Sequence, residues 1–111
     1  MYIYQSDVWC DDCGEAIQNR LISENSAPDD YDNESEFDSD EFPKTVLCGE
    51  ADTPQHCGAG ENCFNAEVLP SGRKIGVLLN TDLTSDGVQY VKDAVAEGGE
   101  VADFWKVHFD L

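Results

Sequence analysis

The residues best suited to chemistry in this chain are its cysteines. Cys10-Asp11-Asp12-Cys13-Gly14 sets two thiols three positions apart, the spacing at which both can turn toward one ion. A glycine directly after the second thiol permits the backbone conformation that such turns require. A tetrahedral site needs a second half. Cys57 and Cys63 supply it from a glycine-rich loop, Gly58-Ala59-Gly60-Glu61-Asn62. Their separation is wider than the usual two to four residues, but the loop is flexible enough to close. The favoured reading is a structural Zn²⁺ held by Cys10, Cys13, Cys57 and Cys63. His56 can replace one thiolate to give a Cys₃His set, and Cys48 can compete. Such a metal supplies about 10–16 kcal/mol, comparable with the net stability of a small domain.

Two other uses of these thiols deserve weighing. They can be ordinary buried small residues. A strand followed by Trp9-Cys10-x-x-Cys13 at a helix start is also the layout of a thiol–disulfide oxidoreductase. Asp11 and Asp12 lie between the thiols and disfavour a reactive thiolate by like-charge repulsion, and the rest of the chain lacks a βαβ pattern. A catalytic metal would keep an open coordination position, and no carboxylate stands near the ligands at a general-base spacing. There is no Ser/His/Asp arrangement, no GxGxxG and no P-loop, so the chain reads as a non-enzyme. His108, among aromatics, reads as packing. Arg73 and Lys74 read as hairpin surface.

The second feature is charge. Twenty-four Asp and Glu oppose six Lys and Arg, a net charge of −18. That field repels nucleic acid and anionic membranes and attracts basic surfaces. The acids concentrate between Ser26 and Phe42: Asp29, Asp30, Asp32, Glu34, Glu36, Asp38, Asp40 and Glu41 are eight acids within thirteen residues. Low hydrophobicity and like charge predict a mobile loop over 26–43. Tyr31, Phe37 and Phe42 can pin parts of it to the body or touch a partner. If extended, the alternation from Asp30 to Asp40 makes a row of carboxylates with a spacing near that of phosphates. Those eight acids are then a partner-binding surface for a protein with a basic nucleic-acid site. The bland alternative is a solvated loop that keeps the protein soluble.

The elements must hold these groups together. A chain of 111 residues fits one domain, 1–111, small enough that a metal staple is expected. No apolar run approaches the roughly eighteen residues of a membrane span, and the N-terminal residues lack a signal-peptide pattern. An odd number of cysteines then favours metal over disulfides in a reducing compartment. Residues 1–9 read as a strand, and 15–24 as a helix with Ala16, Ile17, Arg20 and Leu21 on one face. Phe64–Leu69 and Arg73–Leu79 read as a hairpin around Pro70-Ser71-Gly72. Thr84 or Ser85 caps a helix presenting Val88, Val91, Ala94 and Val95, which Gly98-Gly99 ends. A short last helix carries Val101, Phe104, Trp105 and His108, although Trp105, Val107 and Phe109 also alternate as in a strand. The class is α+β: a zinc-stapled domain with an N-terminal strand, a hairpin, two to three helices and a long acidic loop.

Several stretches resemble a group of small uncharacterised phage and bacterial proteins. They are Tyr2-Ile3-Tyr4-Gln5 before Cys10-Asp11-Asp12-Cys13-Gly14, Asp38-Ser39-Asp40-Glu41-Phe42-Pro43-Lys44, Pro54-Gln55-His56-Cys57, Leu69-Pro70-Ser71-Gly72-Arg73-Lys74-Ile75-Gly76 and Leu83-Thr84-Ser85-Asp86-Gly87-Val88-Gln89-Tyr90-Val91. The resemblance implies one metal site made by Cys10, Cys13, Cys57 and a cysteine soon after, at a shorter spacing than that to Cys63. Cys48 is not part of the shared pattern. It also implies a phage or mobile-element context in a bacterial cytoplasm. The leading expectation is a non-enzymatic acidic protein that binds and inhibits a host protein, such as a defence nuclease. The alternative is a zinc-ribbon-like interaction module using the hairpin and the C-terminal aromatics.

Overall fold

Residues 1–9 form a hairpin, not one strand. In the computed structural model, which describes residues 1–47 and 49–111, β1 (Tyr2–Tyr4) pairs antiparallel with β2 (Asp7–Trp9). Gln5 and Ser6 turn the chain with φ of 49° and 60°, the conformation of a two-residue type I′ turn. Neither residue is a usual occupant of such a turn, so the residue types do not signal it. The α1 helix (Asp11–Ser23) starts at once after β2, with Cys10 as its N-cap. The Cys-x-x-Cys stretch is therefore the first turn of a helix. Gly14 is needed for a different reason from the one expected: a Cβ there would collide with the Tyr2 ring, which lies on the helix. The buried side of α1 is Cys13, Gly14 and Leu21, with Ile17 half-buried. Ala16 and Arg20 are exposed.

The acidic stretch follows a turning path, so the extended carboxylate row is not formed. A 3₁₀ turn spans Glu34–Glu36, capped by the Asn33 side chain, which accepts from the Ser35 N–H. Phe37 and Phe42 are buried and meet edge to face at 5.5 Å between centroids, and Tyr31 packs on Phe42 at 5.7 Å. These rings join Tyr4 and Leu21, with Trp9, Ile17 and Ala27 at the margin. All eight acids from Asp29 to Glu41 stay exposed. The aromatics thus pin the segment while the carboxylates remain in water, which spares their desolvation. The chain then enters β3 (Lys44–Thr45), which adds antiparallel to the free edge of β1.

The second half is held by short pairings. The β4 strand (Glu50–Ala51) runs parallel to β7 (Asp82–Leu83). The predicted hairpin exists, but β5 (Glu67–Val68) and β6 (Lys74–Ile75) are only two residues each. Phe64 is 71% exposed because residues 63–66 wrap the cysteine cluster instead of extending the strand. Two helices close the fold. Thr84 caps α2 (Ser85–Glu97) by accepting from the Gly87 N–H at 3.1 Å. The α2 helix buries Val91 fully and half-buries Val88, Ala94 and Val95. The α3 helix (Glu100–His108) follows through Gly98 and Gly99, both at positive φ. It buries Ala102, while His108 is exposed and stacks on Phe104. Small antiparallel sheets beside three helices make the class α+β, as the sequence implies. No described helix is long and apolar enough to cross a membrane.

Candidate metal centre

Three separate elements deliver the four thiols. Cys10 caps α1 and Cys13 lies in its first turn, where the helix dipole favours thiolates. Cys57 sits on an extended run that is bonded on both sides. Its N–H donates to the Val77 carbonyl at 2.9 Å, and the Gly58 N–H donates to the Val8 carbonyl at 2.7 Å. Gly76 lets the β6 strand cross this run, since a Cβ there would strike the Cys57 backbone. Cys63 follows a 3₁₀ turn at Gly60–Asn62 that folds the glycine-rich loop back, with the Gly60 N–H donating to the Cys57 carbonyl. The wide spacing between Cys57 and Cys63 is absorbed by that turn.

The result is one cluster. The sulfurs of Cys10, Cys13, Cys57 and Cys63 all lie within 4.8 Å of one another, and all four residues are buried. Cys10 Sγ and Cys63 Sγ are 3.7 Å apart. A tetrahedral tetrathiolate zinc with bonds near 2.3 Å has sulfur–sulfur edges of about 3.8 Å. The four sulfurs could therefore hold a metal ion. Trp9, Ala59, Ala66, Val77 and Leu79 form an apolar shell around them.

Backbone donors are aimed at the sulfurs. The Cys10 N–H donates to Cys57 Sγ at 3.3 Å, and the Asn65 N–H to Cys63 Sγ at 3.4 Å. Asn65, which sequence reading missed, does more: its Nδ2 reaches Cys10 Sγ at 3.7 Å and Asp12 Oδ2 at 2.8 Å. Its position two residues after a candidate ligand was the available clue. Without a metal, burial pushes the Cys13 thiol well above the usual cysteine range and raises the Cys57 thiol as well. For Cys63 burial also pushes upward, but the N–H groups of Val77 and Asn65 together with the Cys10 and Cys57 thiols outweigh it and lower the thiol pKa. A buried thiol cluster of this kind is costly to ionise unless a cation sits among the sulfurs.

His56 does not join the sulfurs. Its Nε2 accepts from the Trp105 indole N–H at 2.9 Å, and its Nδ1 lies 2.6 Å from the Gly76 carbonyl. An indole only donates, so the ring is neutral with its proton on Nδ1. The histidine instead ties the Cys57 run to α3. Asn80, also unforeseen, is 1% exposed. It accepts from the Gln55 N–H and donates to the Asp82 carbonyl, fixing the approach to His56. Cys48 lies outside the described residues. All eight acids from Asp29 to Glu41 remain exposed; Glu41 Oε1 accepts from the Asp38 N–H at 3.4 Å, and Glu34 is engaged more closely. Its carboxylate accepts from the Thr45 N–H at 2.8 Å and from Thr45 Oγ1 at 2.7 Å, which holds its pKa below the usual glutamate range.

Comparison with known protein families, with curated proteins and with solved structures gives no match.

Proposed function

We propose that this protein is a non-enzymatic binding module whose fold is closed by one structural Zn²⁺ on Cys10, Cys13, Cys57 and Cys63. The observation that carries this reading is the four buried sulfurs within 4.8 Å of one another. Four protein ligands fill a tetrahedral shell and leave no open position for substrate. Burial also keeps the thiols from acting as exchange nucleophiles, which supports a structural role over a CxxC redox one. Purified protein should contain one zinc per chain, and chelation should unfold it. A metal-free sample with an unchanged melting temperature would overturn this.

The binding surface we propose is the acidic segment, and its target is a host protein with a basic nucleic-acid site. A net charge of −18 speeds encounter with such a surface. The carboxylates are arrayed on a segment fixed by Phe37 and Phe42, so less ordering entropy is lost on binding than a free loop would lose. The resemblance to phage proteins adds a bacterial cytoplasmic setting, and inhibition of the basic partner is the effect we propose from the charge. The test is capture from bacterial lysate with the wild-type chain and with Asp29, Asp30, Asp32, Glu36, Asp38 and Asp40 changed to Asn or Gln, sparing Glu34. Capture should vanish in the variant, and duplex DNA should release the captured protein. Equal capture by both forms would remove the mimicry reading.

A further inference from the structure

We propose that the groove between the β5–β6 hairpin and α3 seats an apolar side chain from a partner segment whose flanking Lys or Arg pairs with Asp103. The groove holds about 300 Å³. Val68, Leu69 and Pro70 line it from the hairpin, and Glu100, Asp103, Phe104 and Val107 line it from α3. Those four α3 residues fall at i, i+3, i+4 and i+7, so they line one helix face. Ser71 Oγ donates to Glu100 Oε1 at 2.6 Å and joins the turn to the start of α3 beside the groove.

The walls are unusually wet for apolar residues. Val107 is 82% exposed and Val68 65%, so covering them gains roughly 25 cal/mol per Å² of apolar area. Asp103 has no ion pair and no side-chain hydrogen bond among the described residues. The charge decides what covers the face. A second copy would bring another −18 against the first, which like-charge repulsion opposes. A partner carrying an apolar anchor beside a cation matches both the walls and Asp103. This face is built from the hairpin and α3, and it does not depend on the acidic segment.

The test is a titration of isotope-labelled, zinc-loaded full-length protein with three blocked synthetic peptides, followed by NMR. They are Lys-Leu-Trp-Leu-Lys, its acidic twin Glu-Leu-Trp-Leu-Glu, and Lys-Ser-Gly-Ser-Lys. The first should give saturable shifts at Val68, Phe104 and Val107, and bind at least about 10-fold tighter than the other two. Val107→Ser should weaken it, and Asp103→Lys should move the preference toward the acidic twin. Both positions are exposed, and an unchanged spectrum elsewhere verifies each variant's fold. Neutralising the acidic segment should leave these shifts intact. Equal binding of the Lys-Ser peptide, shifts confined to the acidic segment, loss of binding when that segment is neutralised, or an unchanged preference in Asp103→Lys would each overturn the proposal. Failure here leaves the zinc reading standing, because the metal content is measured on the same sample.

Discussion

Each residue around the sulfurs has a separable task. Asn65 supplies donors to two sulfurs and ties them to Asp12. Partners of this kind orient ligands, and losing one costs about 10- to 100-fold in metal affinity. Asn65→Ala should therefore retain one zinc per chain but bind it at least about 10-fold more weakly in a chelator competition. His56 should behave in the opposite way. His56→Ala keeps all four sulfurs and removes the acceptor for Trp105, so zinc affinity should hold while the melting temperature falls. Leaving a part-buried donor unpaired costs about 1–3 kcal/mol, which thermal denaturation with zinc present would register. A lost zinc in His56→Ala would place the imidazole among the ligands.

Elements were legible where period and caps agree. The α2 stripe of Val88, Val91, Ala94 and Val95, its Thr84 cap and its Gly98 stop all form as the sequence indicates. The Pro70-Ser71-Gly72 turn does too, with Gly72 at φ 90°. The sites of failure share a cause. The β4–β7 pair spans two residues per strand, too short for any alternation to register. The Gln5–Ser6 turn uses residues that pay steric strain at positive φ, so nothing local announces it. Gln5→Asn combined with Ser6→Gly should relieve that strain and stabilise the fold by about 1 kcal/mol, measurable by chemical denaturation. The acidic run was legible as exposed, but its aromatic pins needed Tyr4 and Leu21 from elsewhere in the chain. Phe42→Ala should cost about 3–5 kcal/mol and speed amide exchange across residues 30–42. Glu34 adds an acid trigger. Its pKa is lowered by the Thr45 donors, so its contribution is present above the unfolded glutamate value of about 4.3 and disappears as pH falls through the lower folded value. Exchange in the segment should rise in that window, and Glu34→Gln should flatten the response.

At the scale of the whole molecule the core is thin. Thirteen apolar residues are buried among those described, and four of them are the cysteines. Trp9 packs against both the aromatic cluster and the sulfur cluster, so the two share a wall and should melt together. The pairing of Cys10 and Cys13 was legible from spacing. Their union with Cys57 and Cys63 was legible only as chemistry, because the contact depends on the Val8 and Val77 backbone bonds that no side-chain pattern encodes. The pH dependence follows from protons and metal competing for the sulfurs. Without metal, burial raises the Cys13 and Cys57 thiols while Cys63 shifts the other way, so protons hold the first two sulfurs until a cation displaces them. The zinc form should therefore lose stability as pH falls, because acid displaces metal from thiolate.

The most direct test is X-ray absorption at the zinc edge of the purified, full-length protein. The account predicts one zinc per chain with four sulfur neighbours at about 2.3 Å and no nitrogen shell. A shell containing nitrogen at about 2.0–2.1 Å, or protein that folds with no bound metal, would contradict it.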